Sequence, residues 1–187
     1  MLIAFNKPFG VLSQFTRDSS ANRTLAEFGF PPRVYPIGRL DADSEGLLLV
    51  SDEAALNAKL LNPRHNHPRI YWAQVEGVPT TEDLARLSRG VVVQGRKTLP
   101  CRAWMLEPQP EVPPRHPPIR ARRTVPDRWI GLELVEGKNR QARRMTAAAG
   151  YPTLRLVRVQ IGKFAPSDLK PGQWRALEKA ERELVFV

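Results

Sequence analysis

The stretch WIGLELVEGKNRQARRMTAAAGYPTLRLVRVQI, residues 129–161, decides how this chain is classified. Its first part, 129–135, alternates apolar with small or acidic side chains and reads as a strand. Residues 139–149 set Ala142, Met145 and Ala149 at helical spacing, and Gly150 follows where a helix would stop. Residues 153–161 return to strand. Upstream, 69–76 is a strand closed by Gly77, and Thr80 with Asp83 resembles a capping box opening a helix that ends near Gly90. Residues 91–93 and 102–106 are further strands.

The N-terminal part follows the same logic. Residues 2–5 and 11–15 read as a hairpin around Lys7-Pro8-Phe9-Gly10, because the Pro/Gly pair forces a change of direction. Residues 33–40 look extended and 47–50 form a short apolar strand. Ser51 is placed to cap a helix carrying Ala55, Leu56, Leu60 and Leu61 that Asn62-Pro63 terminates. Residues 173–177 and 184–187 complete the sheet. Strands outnumber helices, and neither a strict βαβ rhythm nor a Gly-rich phosphate turn is present. The expected class is α+β, with a mixed, largely antiparallel sheet.

The 187 residues suffice for one domain or two packed halves. Lys and Arg number 29 against 19 Asp and Glu, a net +10, with 42% apolar residues. Such a chain folds and seeks polyanions. Cys101 is alone, which excludes an internal disulfide and a cysteine-based zinc site and fits a reducing, cytoplasmic setting. Apolar runs stay short, as in Leu47-Leu48-Leu49-Val50, so neither a signal peptide nor a membrane span is expected. Residues 108–126 hold seven prolines, with Arg115, His116, Arg120, Arg122 and Arg123 between them, and read as a basic surface loop.

Two segments carry chemistry. Gly38-Arg39-Leu40-Asp41-Ala42-Asp43-Ser44-Glu45-Gly46 crowds carboxylates into a basic chain. Asp41, Asp43, Glu45, Gly46 and Asp52 fall on the first, third, fifth, sixth and twelfth places of a calcium loop. Leu47 and Leu49 then occupy ligand places and Pro36 precedes in extended chain, so the match is superficial. A second reading is a catalytic carboxylate beside Arg39; a third is a turn in which Asp41 caps backbone amides. The other segment, 137–145, holds Lys138, Arg140, Arg143 and Arg144; on a helix Arg140, Arg143 and Arg144 would share one flank and bind anions, extended by Arg155, Arg158 and Lys163. A fixed guanidinium such as Arg143 would keep an aspartate like Asp41 ionised and oriented. Tyr71 is a candidate base or stacking partner, or a core tyrosine. His65, His67 and His116 are too scattered for a metal site.

Lys7-Pro8-Phe9-Gly10, Gly38-Arg39-Leu40-Asp41, Arg69-Ile70-Tyr71, residues 137–145 and residues 154–162 together resemble, in order, the motifs of the pseudouridine synthases that modify bacterial ribosomal RNA at single uridines. The resemblance implies an eight-stranded mixed sheet in two similar halves with a central cleft. It makes Asp41 the catalytic aspartate, Tyr71 the active-site tyrosine, Arg143 the partner of the aspartate, and Leu156 a wall of the uracil pocket. Arg39 would help hold the target nucleotide out of its stack, with Lys7, Arg140, Arg144 and Arg158 also binding substrate. It further implies one catalytic domain over 1–187, no S4-like RNA-binding domain ahead of it, no cofactor and no metal. The partner would be ribosomal RNA, of the large subunit, and the protein a cytoplasmic monomer. The competing reading is a noncatalytic RNA-binding or ribosome-assembly protein on the same scaffold, which leaves Asp41 and Tyr71 without a role.

Overall fold

The computed structural model describes residues 1–62, 65–119 and 125–187. Pro63 of the expected helix stop, and Arg120, Arg122 and Arg123 of the expected basic loop, lie outside the described residues. In chain order the elements are β1 (Leu2–Lys7), a short 3-10 helix (Leu25–Phe28), β2 (Tyr35–Pro36), β3 (Glu45–Ser51), α1 (Ala55–Leu61) and β4 (Arg69–Glu76). There follow α2 (Thr81–Ser88), β5 (Val92–Val93), β6 (Arg96–Lys97), β7 (Arg102–Met105) and β8 (Asp127–Leu134). The chain ends with α3 (Gln141–Ala148), β9 (Thr153–Ile161), β10 (Trp174–Ala176) and α4 (Lys179–Val185). The class is α+β with a mixed, mostly antiparallel eight-stranded sheet, as expected.

The chain divides into two compact units, one of residues 1–69 and 157–187, the other of residues 70–156. Strands β4 and β9 each pass from one unit into the other along the chain.

In the first unit the strand order is β10-β1-β3-β9, with β2 also on β3. β1 is antiparallel to β10 and β3, whereas β3 and β9 run parallel, pairing Glu45 with Val157 and Gly46 with Arg158. Every residue of β3 is buried, and Leu47, Leu48 and Leu49 each contribute roughly 1.5–3 kcal/mol by leaving water. One core cluster joins Leu2, Ala4, Leu47 and Leu49 to Leu56 and Leu60 of α1 and Val185 of α4. Alternation along β1 sends Phe5 elsewhere, to an aromatic group in which its ring meets Phe28 at 4.9 Å and Phe30 at 5.1 Å, with Phe30 stacked on Trp174.

In the second unit the order is β9-β4-β8-β7, and β5 and β6 form a separate hairpin. Ala73, Val75, Ile130, Leu132 and Leu134 pack against Leu84 and Leu87 of α2 and Ala142 and Met145 of α3. Gly131 has a steric role: a Cβ there would fall 2.2 Å from the Trp104 indole, which lies across it.

Four local expectations are corrected. Residues 11–15 form no strand: β1 takes its partners from β3 and β10, while Val11 makes only an isolated bridge to Arg23 and Leu12 N–H donates to Arg23. The extended stretch 33–40 contributes only the two residues of β2. Ser51 does not cap α1, because its hydroxyl donates to the Met1 carbonyl and accepts from Glu53 N–H, and the helix starts only at Ala55. Residues 184–187 are not a strand, since α4 runs to Val185, opened by a Glu178–Glu181 capping box and held by paired hydrogen bonds from Arg182 to Glu53.

Candidate active site

The acidic turn belongs to the first unit and is pinned at successive backbone positions. Ile37 N–H donates to the Leu49 carbonyl at 2.8 Å and Gly38 N–H to Asn57 Oδ1 at 3.1 Å. Ser13 clasps the next buried residue, its Oγ accepting from Leu40 N–H at 3.0 Å and donating to the Leu40 carbonyl at 2.7 Å. Gly10 N–H reaches the Ala42 carbonyl at 2.7 Å, and Ser44 N–H closes the turn on the Asp41 carbonyl at 3.0 Å. The Asp41 side chain is half-buried and Arg39 is exposed. A carboxylate that meets solvent from a backbone fixed on both sides is pre-oriented to act on a ligand.

Beneath this turn lies a group of buried charges. Lys7 is fully buried, and its Nζ donates to the Val11 carbonyl at 2.8 Å and the Pro8 carbonyl at 3.1 Å. Pairing places it opposite Gly46, which in turn lies opposite Arg158 on β9. Gly46 adopts φ +97°, and a Cβ there would meet the Arg158 carbonyl at 2.3 Å, so this position demands glycine twice over. Arg158, also buried, donates from Nε to the Leu47 carbonyl at 2.7 Å. Burial pulls the Lys7 amine down from 10.5 to about 7; Arg158 adds to the shift, and Glu45, Asp43 and Asp41 oppose it. Lys7 therefore braces the Pro8–Val11 turn, and that turn holds the Asp41 turn through Gly10. Ser13 was not singled out from sequence: its partner is 27 residues away, and no local pattern announces the contact.

The second unit holds the remaining candidates. Tyr71 on β4 packs, half-buried, against the core cluster that contains Leu156, which is 5% exposed. Arg143 donates from Nη1 to the Thr153 carbonyl at 3.2 Å. Arg144 donates from Nη2 to Asn139 Oδ1 at 2.8 Å and from Nη1 to Gln94 Oε1. Arg140 does not share a helical flank with them, because α3 starts at Gln141 and Arg140 stands at its N-cap in a left-handed conformation, φ +51°. The first turn of α3 has no acidic residue and carries Arg143 and Arg144, cations at the end where the helix dipole disfavours them. Arg155 donates to the Pro113 carbonyl at 2.8 Å and its guanidinium lies 5.9 Å from the Trp129 ring centre.

Among the described residues no group of three or more His, Cys, Asp or Glu could hold a metal ion, so the carboxylates of the calcium-like pattern form no ligand cluster. His67 is buried beside Phe186. Burial pushes the Cys101 thiol up to about 11, away from nucleophilic reactivity. No helix among the described residues is long and apolar enough to cross a membrane.

A family profile described as RNA pseudouridylate synthase matches residues 1–148. A protein of Xanthomonas campestris named ribosomal large subunit pseudouridine synthase E is 54% identical over 176 residues, covering 94% of each chain. A Vibrio parahaemolyticus protein of the same name is 44% identical, over 95% of this chain and 74% of its own length. A solved structure titled as a pseudouridylate synthase superposes with a TM-score of 0.80 at 24% identity, covering 98% of this chain and 73% of that one, and so shares the fold. With the match spanning both the Asp41 turn and the Arg-rich start of α3, this chain belongs to the RNA pseudouridylate synthase family.

Proposed function

We propose that this protein isomerises uridine to pseudouridine at a site in large-subunit ribosomal RNA. The reading rests on one observation: Asp41 stands half-buried on a turn whose backbone is fixed on both sides, in a chain of this family. Relatives named for large-subunit ribosomal RNA support the substrate. The reaction breaks the N1–C1′ glycosidic bond, rotates the uracil and joins C5 to C1′; the C5 proton leaves to solvent and N1 gains one. No electrons are exchanged with a second reactant. A stacked uridine hides these atoms, so the nucleotide is extruded, at roughly a few kcal/mol, against new pocket contacts.

In this reading Asp41 acts toward the ribose as nucleophile or as base, and Arg143 is its cationic partner. Tyr71 stacks on the uracil, worth about 1–3 kcal/mol, and Leu156 lines the pocket. Arg39, exposed next to Asp41, holds the extruded nucleotide, while Arg140 and Arg144 meet phosphates. Lys7, buried, serves the substrate through the turn it braces, and Arg158, also buried, through its hold on the Leu47 carbonyl of β3. The whole chain works as one cytoplasmic, monomeric catalytic domain. The test is to map pseudouridines in ribosomal RNA from cells with and without this protein, then repeat the modification with purified protein on unmodified transcript. Loss at one large-subunit position, restored in vitro, supports the reading. Tight binding without modification would leave a noncatalytic RNA-binding protein.

A further inference from the structure

The β5–β6 hairpin has no part in the chemistry above, yet it is built with care. Val92 pairs with Lys97 and Val93 with Arg96, leaving Gln94-Gly95 as a two-residue loop. Both loop residues are left-handed, φ +52° and +75°, the pattern of a type I′ turn. Asn or Gly normally supplies the first position, and a glutamine there is strained. Its longer side chain explains the choice: Gln94 Oε1 accepts from Arg144 of α3, whose other Nη is held by Asn139.

The base of the hairpin is fastened as well. Thr98 N–H donates to the Val91 carbonyl at 2.9 Å, and Thr98 Oγ1 accepts from Val91 N–H at 3.1 Å. Glu136 joins the next residue to α3, accepting Leu99 N–H at 2.9 Å and Gln141 Nε2 at 2.5 Å. Val93 packs on the core. The arm is thus fixed to the N-terminal end of α3, where Lys138 and Arg140 are exposed. Its return strand consists of Arg96 and Lys97, both exposed and neither in an ion pair with a described residue.

We propose that the hairpin 92–97 is an RNA-binding arm. Arg96 and Lys97 contact backbone phosphates of the substrate flanking the modified uridine and extend the cationic start of α3. This rests on the proposed function. Positioning by phosphate contacts requires cations on a rigid support rather than sequence-reading groups, and an anchored two-residue hairpin provides that support. An RNA is favoured over other anions because the whole chain carries +10 and acts, in this reading, on a polyanion.

The test uses the full-length protein with unmodified large-subunit ribosomal RNA transcript. Arg96→Glu/Lys97→Glu should weaken RNA binding more than tenfold at about 0.1 M salt. A neutral Arg96→Gln/Lys97→Gln variant should reduce the slope of log K against log[salt] by about 1.4–1.8, the loss of two phosphate contacts. Turnover at saturating RNA and thermal stability should be unchanged. Lys170→Glu/Lys179→Glu, an equal change of charge at exposed positions in the first unit, should leave affinity within about twofold. If the hairpin variants keep wild-type affinity and slope while wild-type protein modifies the RNA, the arm is refuted and the enzymatic reading stands. Equal weakening by the control pair would refute it too. If wild-type protein modifies nothing, the proposed function fails first.

Discussion

Lys7→Met separates the buried charge beneath the acidic turn from the hydrogen bonds it makes. In the folded protein the amine titrates near pH 7, against 10.5 ordinarily. Above 10.5 both folded and unfolded chains carry a neutral amine, and below about 7 both carry a charged one. Between these limits the unfolded chain binds a proton that the folded chain does not, so folding becomes more favourable as pH rises, by about 1.4 kcal/mol per unit. Over the full window the effect is about 5 kcal/mol. Methionine removes this dependence and deprives the Pro8 and Val11 carbonyls of their donor, at about 1–3 kcal/mol each. Near pH 6.5 the relief of a buried charge and the lost hydrogen bonds should nearly cancel. By pH 9 wild type should have gained roughly 3 kcal/mol on the variant. Denaturant unfolding of both proteins at pH 6.5, 7.5, 8.5 and 9.5, taken as the difference between them, cancels other titrating groups. A difference that stays constant across that series would refute the reasoning.

Other consequences follow from the same geometry. Ser13→Ala removes both bonds to Leu40, and should lower stability by about 1–3 kcal/mol and kcat by more than tenfold, with KM within about threefold. Ser13→Thr, which keeps the hydroxyl, should recover most of the rate; an alanine variant with wild-type kcat would show that the clasp does not position Asp41. Gly46→Ala drives a Cβ into the Arg158 carbonyl at a left-handed backbone position, and should destabilise by about 3 kcal/mol or more. A melting temperature within about 2 °C of wild type would contradict that contact.

What could be read from sequence follows the range of the interactions that decide each element. The Thr80–Asp83 box announces α2 because donor and acceptor lie within one turn, and Thr80 Oγ1 does accept from Asp83 N–H. β4 and β9 carry enough apolar alternation to be bounded correctly as 69–76 and 153–161. The Pro8–Gly10 turn misleads because β1 finds its partners far along the chain, at residues 46–51 and 174–176. The segment 184–187 looks like a strand until Arg182 is seen to bind Glu53, 129 residues away. Among the candidate residues, Asp41, Tyr71 and the arginines of α3 stand out as charge or motif. Ser13 does not, since its partner Leu40 lies 27 residues away, and neither does the bracing role of Lys7, since nothing local announces that a lysine two residues before Phe9 is fully buried.

The most direct measurement is pseudouridine formation by Asp41→Asn on unmodified large-subunit ribosomal RNA, beside its affinity for the same RNA. The substitution keeps the volume of the side chain and leaves the backbone clasp by Ser13 in place. The account predicts wild-type folding, RNA affinity within about threefold and no detectable turnover. Pseudouridine appearing at the wild-type rate would contradict it.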